Sequence, residues 1–269
     1  MGKKSLLFLL LSFMAFAGVG AQEKYELKEN IYYGAGNSSD AYERERCRLD
    51  LYYPREEKGF ETVVWFHGGG LTGGSKHIPE ELKEKGIAVV AVNYRLSPAV
   101  KSPVFIEDAA ASVAWVFKNI ESYGGDVSQI HVSGHSAGGY LTLMLGLDKQ
   151  WLGKHGVDAD RIANLFALSP QVITHFTIRA EQGIGQLQPT VDRYAPLYHV
   201  RKDAAPVYLF LGNEELEIAG RYEENLYFWR MMQLAGHPKC LIYKFDGYHH
   251  GNMPIPAYPL MLQVLGVEK

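Results

Sequence analysis

Apolar and polar positions along the chain alternate between short strand-like runs and longer helix-like ones. Residues 47–53 alternate with period two and stop at Pro54, the pattern of an outer strand. Residues 62–66 and 87–92 are continuous apolar runs, as expected of parallel strands buried on both faces. Similar short runs occur at residues 129–133, 165–168, Val207–Leu211 and 240–245. Between them, Phe105, Ala109, Val113, Val116 and Ile120 fall on one face of a helix over residues 104–122. Helices are also predicted over residues 79–85 (closed by Gly86), 140–145 and 222–234, and after Pro259. Residues 22–45 read as a peripheral strand and loop. Residues 171–199 have no clean period and, with Thr174, His175, Arg179 and Glu181 among aromatics, read as an irregular insertion over the site. Strands alternating with helices predict an α/β fold: a mostly parallel sheet with helices on both faces. Functional residues then belong in loops at the carboxyl ends of strands.

The composition fits one large domain, with 269 residues, 47% apolar and 21% charged. A formal charge of −3 gives no basic surface for nucleic acid or acidic lipid. Lys3 and Lys4 precede an apolar run over residues 6–17, and small residues follow at Gly18, Gly20 and Ala21. This predicts a secretory signal peptide over residues 1–21, a mature domain over residues 22–269, and export to the periplasm or beyond the cell. The run is shorter than the roughly 20 residues that span a bilayer, so no membrane attachment is expected once the leader is removed. A buried helix and an uncleaved anchor are the competing readings. Cys47 and Cys240 lie in strand-like runs and read as two free buried thiols. Among ten histidines no H-E-x-x-H occurs, and a strand and turn separate His131 from His135, so neither metal nor cofactor is expected.

Two motifs carry the chemistry. Gly134-His135-Ser136-Ala137-Gly138-Gly139 matches G-x-S-x-G between a β-branched run and a helical one. That context makes it a nucleophile elbow, with glycines where side chains would collide and Ser136 raised at the sheet edge. His67-Gly68-Gly69-Gly70 follows an apolar strand and exposes unobstructed backbone amides. Two N–H groups converging there could hold an oxyanion, each worth about 3 kcal/mol in the transition state. A phosphate-binding turn lacks the following G-K-[ST], and a merely structural turn stays open; His67 reads as a brace for the loop.

In this order the motifs resemble the α/β-hydrolase superfamily, and more closely its hormone-sensitive-lipase-like carboxylesterases and bacterial carbohydrate-acting acyl esterases. Val92-Asn93-Tyr94-Arg95-Leu96, Gly124-Gly125-Asp126, Tyr194-Ala195-Pro196-Leu197 and His250-Gly251 agree with it, over about residues 47 to 265. The resemblance implies Ser136 as nucleophile and His250, in preference to His249, as general base. It implies an acid in Gly212-Asn213-Glu214-Glu215-Leu216-Glu217, where the family commonly has Asp. Glu215 holds the expected position, with Glu217 and then Glu214 as alternatives. It also implies an oxyanion hole from the N–H groups of Gly69, Gly70 and Ala137. Leu71 departs from the bulky aromatic common after HGGG, altering an acyl-pocket wall, and Asp108 reads as a structural brace.

The expected activity is hydrolysis of short-chain acyl esters through an acyl-enzyme, without a cofactor. The substrate is a small acyl ester or acylated oligosaccharide, with acetyl or feruloyl groups on carbohydrate suggested by analogy alone. A serine peptidase of related fold and a non-catalytic binding protein on a hydrolase scaffold stay open as alternatives.

Overall fold

The continuous apolar runs become interior strands because both faces of the sheet are covered. The structure, a computed structural model, describes residues 24–34, 36 and 38–267; the predicted leader over residues 1–21 lies outside them. Eight strands form one sheet: β1 (Tyr25–Tyr32), β2 (Arg48–Pro54), β3 (Phe60–Phe66), β4 (Ala88–Val92), β5 (Gly125–His135), β6 (Asn164–Leu168), β7 (Val207–Leu211) and β8 (Cys240–Lys244). Their order is β1-β2-β4-β3-β5-β6-β7-β8; β2 runs antiparallel to both neighbours, and β3 to β8 are parallel. The helices are α1 (Ala41–Arg46), α2 (Val104–Tyr123), α3 (Ala137–Leu147), α4 (Gln150–Gly153), α5 (Phe176–Glu181), α6 (Arg221–Leu234) and α7 (Pro254–Val264). This is the α/β-hydrolase arrangement.

Strand alternation splits the core in two. Val64 and Phe66 of β3 face a cluster with Phe105 and Val113 of α2 and Leu141 of α3. Val63 and Trp65 face the opposite side, with Tyr258, Met261 and Leu262 of α7. Each fully buried side chain of this size contributes about 1.5–3 kcal/mol. Pairing then aligns the strand ends: Phe66 lies opposite Gly134, His135 opposite Leu168, Leu168 opposite Phe210, and Leu211 opposite Lys244. Five loops therefore emerge side by side along one edge.

β2 is an outer strand, as expected, and the polar β1, with its exposed middle, is the peripheral strand that pairs along it. Three expectations are corrected. The segment over residues 79–85 makes only a 3-10 turn at Glu80–Leu82, since Glu84 enters the left-handed region at φ 59°. The last helix starts at Pro254, not after Pro259. Proline at the first helical position lacks only an N–H that would have no partner, and the carbonyl freed by Pro259 belongs to the exposed Ile255. Leu71 is fully buried in the main core at φ 62°, so it serves packing. Cys47 and Cys240 are free and buried, as expected.

Asp108 of α2 is the brace that its position implied. Its Oδ2 accepts from the backbone N–H and Nε of Arg95, each at 2.9 Å, and its Oδ1 accepts from Nη2 at 2.6 Å. Asp108 is 4% exposed, so its removal leaves the Arg95 backbone N–H, Nε and Nη2 without their acceptor, while Nη1 keeps Asp40 at 3.2 Å and Glu43 at 3.6 Å. Asp108→Ala should cost about 3 kcal/mol, read as a lowered denaturant midpoint at unchanged slope. A loss below about 1 kcal/mol would contradict the brace.

Candidate active site

β5 ends at His135 and α3 begins at Ala137, leaving one residue to reverse the chain. Ser136 does so at φ 58°, ψ −114°, a conformation that costs a non-glycine residue about 1–3 kcal/mol. Its N–H donates to the Leu168 carbonyl at 2.8 Å, and its carbonyl accepts from Tyr140 N–H at 2.9 Å. The turn closes only because Gly138 has no side chain: a Cβ there would sit 2.0 Å from the Phe66 carbonyl oxygen. Ser136 Oγ makes no cap to α3 and lies 2.9 Å from His250 Nε2.

His250 sits in the loop after β8. Its Nδ1 is 2.9 Å from Glu217 Oε2 and 2.8 Å from Ser169 Oγ. His135, the residue before the serine, stacks obliquely with its ring 4.7 Å from that of His250 and donates from Nε2 to the His250 carbonyl at 2.8 Å. Burial, aided by the nearby His250 charge, pushes His135 down to about 4, so it remains a neutral donor near neutrality.

The carboxylate at His250 is that of Glu217, not the expected Glu215. Asn213 starts a single helical turn, with its carbonyl accepting from the N–H groups of Leu216 and Glu217 and its Oδ1 accepting from Glu215 N–H. At about 100° per residue, Glu214 and Glu215 point to solvent and Glu217 comes round to the sheet edge. The Glu217 side chain is fully buried. Its Oε1 accepts from Gly212 N–H at 3.0 Å, and its Oε2 accepts from Ser169 Oγ at 3.0 Å and Ile218 N–H at 3.2 Å. Burial alone would raise its pKa, but the hydrogen bond and charge of His250, with the Gly212 and Ser169 donors, hold it down at about 2.

Sequence reasoning missed Ser169. It follows the last residue of β6, just before Pro170, at φ 44°, and is fully buried between Glu217 and His250. Its place at the carboxyl end of a central strand was the available signal.

The glycine loop lies beside the nucleophile, since a Cβ on Gly68 would stand 3.4 Å from Ser136 Cβ. Gly69 turns its carbonyl towards the N–H groups of Thr72 and Gly73 (3.0 Å each), and the Gly70 carbonyl accepts from Thr177 Oγ1. Among the described residues, the N–H groups of Gly69 and Gly70 donate to no other backbone group. Ala137 N–H, in the first turn of α3, likewise has no intrahelical acceptor. His67 stands apart from His250's role. It stacks on Tyr94 at 4.5 Å, donates from Nδ1 to the Gly68 carbonyl at 2.6 Å, and is held at about 4 by burial. A cavity of about 340 Å³, lined by Gly68, His135, Gly251, Trp65 and Tyr258, opens beside this cluster.

The BD-FAE family model matches residues 49–164. A protein of Oryza sativa subsp. japonica named "Probable isoprenylcysteine alpha-carbonyl methylesterase" is 29% identical over 240 residues, covering 78% of this chain and 56% of that protein. The carboxylesterase NlhH of Mycobacterium tuberculosis is 41% identical over 101 residues, covering 35% of this chain and 32% of that protein. The chain thus spans about half the length, or less, of these curated relatives. A solved structure, "Truncated form of carbohydrate esterase from gut microbiota", has a TM-score of 0.75 at 20% identity, covering 91% of this chain and 97% of that one.

Acid should destabilise the protein in two stages. His135 and His67 titrate lower when folded than the ordinary 6.5, so stability is lost as pH falls from about 6.5 to about 4. Glu217 titrates lower than the ordinary 4.5, so its contribution, full above that value, is lost between about 4.5 and 2. In urea titrations across pH, His135→Gln should flatten the first decline and Glu217→Gln the second. Unchanged slopes in both variants would contradict these assignments.

Proposed function

We propose that this protein is a serine carboxylesterase of the α/β-hydrolase superfamily, with Ser136, His250 and Glu217 as its triad. The observation that carries the reading is the continuous path from Ser136 Oγ to His250 Nε2 at 2.9 Å and from His250 Nδ1 to Glu217 at 2.9 Å. Relatives named as esterases support the reaction class.

In this reading Ser136 Oγ–H donates to Nε2, and the imidazole takes the proton as Oγ attacks the ester carbonyl carbon. The carbonyl oxygen gains charge and is met by the N–H groups of Gly69, Gly70 and Ala137. His250 then returns the proton to the departing alcohol oxygen, leaving an acyl group on Ser136. A water gives its proton to the same nitrogen as its oxygen attacks the acyl carbon, and His250 then returns that proton to Ser136 Oγ as the acyl–Oγ bond breaks and the acid leaves. Glu217 holds the Nδ1–H tautomer and stabilises the imidazolium, as Glu215 cannot from solvent. Ser169 fixes the Glu217 oxygen that faces the ring.

The acyl group is short and the alcohol is carbohydrate, as an acetyl or feruloyl ester. A carbohydrate esterase among the structural neighbours supports this choice, and the apolar leader supports export. Turnover of acetylated and feruloylated oligosaccharides by the whole chain would separate the two acyl classes.

Hydrolysis of p-nitrophenyl acetate tests the reading directly. Ser136→Ala should abolish it with folding intact. Glu217→Gln should lower kcat by about 10³–10⁴-fold. Glu215→Gln, an exposed change, should stay within about twofold. Full activity in Glu217→Gln, or a large loss in Glu215→Gln, would overturn the assignment of the acid.

A further inference from the structure

A second cavity, of about 290 Å³, lies between residues 171–189 and the start of α6, lined in part by Gln171, Arg179, Gln186, Gly220 and Glu224. Two buried cations stand near it: Arg179, which lines it, is 3% exposed, and Arg221, the first residue of α6, is 1% exposed and feels the Arg179 charge. Arg179 Nη1 donates to the Gln188 carbonyl, but its Nε has no hydrogen-bond partner among the described residues. Arg221 donates from Nη1 to the Ser169 carbonyl at 2.6 Å and meets Glu224 Oε1 from Nε at 3.2 Å; among the described residues its Nη2 has no hydrogen-bond partner.

The charges around them do not balance by local pairing. Glu224 attracts both guanidiniums and also accepts from Val172 N–H at 3.2 Å. The Glu217 charge reaches Arg221 too, but that carboxylate is engaged by His250, Ser169 and Gly212. Two buried cations thus share one carboxylate that is itself already engaged, and leave two N–H donors unused, an arrangement that is costly until an acceptor fills it. The first turn of α6 has no side-chain cap and adds its positive end to the same wall.

We propose that this cavity is a carboxylate subsite, with Arg179 as the direct partner of the ligand and Arg221 as the neighbouring cation. The cavity is near the lower end of small-ligand pockets in size, and the amide of Gln186 offers a further polar contact, whereas that of Gln171 is held by Phe176 N–H. Arg221 also ties the subsite to the reaction centre, because the Ser169 it holds touches both His250 and Glu217. The link to catalysis rests on the esterase reading: the ligand carboxylate belongs to the ester bound at Ser136. That carboxylate can come from the sugar, as in a uronate, or from the acyl group, as in a half-ester of a dicarboxylic acid.

Calorimetric titration of the full Ser136→Ala chain with galacturonate, succinate and galactose tests the subsite without turnover. At least one acid should bind about tenfold more tightly than galactose. Galacturonate alone assigns the carboxylate to the sugar side, succinate alone to the acyl side, and both together a general carboxylate site. Adding Arg179→Gln should weaken acid binding about tenfold, whereas Glu224→Gln, which removes the competing charge, should strengthen it. Should the arginine variant fail to fold, the glutamate variant decides. Acids binding no better than galactose, or no gain in Glu224→Gln, would overturn the proposal. Separate turnover of p-nitrophenyl acetate by the unmodified chain keeps a failed subsite distinct from a failed esterase reading.

Discussion

The close approach of Gly138 to the Phe66 carbonyl is the constraint from which the rest of the site follows. It presses the start of α3 against the end of β3, so the chain must reverse within the single residue Ser136. The serine accepts an unfavourable backbone conformation because β5 is held between β3 and β6 and cannot slide away. The same contact sets the glycine loop that leaves β3 beside the serine, so close that a Cβ at Gly68 would touch Ser136 Cβ at 3.4 Å. Local strain is thereby converted into a fixed meeting point for a hydroxyl and backbone donors.

Electrostatics divides labour among the histidines. His67 and His135 are buried and titrate near 4, so they hold backbone carbonyls without taking up protons at neutral pH. His250 differs because a buried carboxylate faces its Nδ1. Donors surround that carboxylate: the N–H groups of Gly212 and Ile218, Ser169 Oγ and His250 itself. Glu217 is therefore kept ionised in a place where burial alone would neutralise it.

Much of this was legible in the residues. The period-two and continuous apolar runs located the sheet because strand alternation and two-sided burial write themselves into sequence. G-x-S-x-G between a strand and a helix located Ser136 for the same reason: only glycines fit the crossing. The acid was harder. Glu214, Glu215 and Glu217 are chemically alike, and which one faces inward depends on the turn that Asn213 initiates. Ser169 escaped because its role arises from two loops more than 40 residues away in the chain. The peripheral strand expected within residues 22–45 is β1 at the sheet edge, but its bounds and its register depend on β2 beside it.

Covalent capture by a fluorophosphonate tests the central claim most directly, because it reports an activated serine without needing the natural ester. After incubation of the whole chain, peptide mass mapping should place one adduct on Ser136, and His250→Gln should slow its formation at least about 10²-fold. No adduct, or one on another residue, would contradict a nucleophile activated by His250.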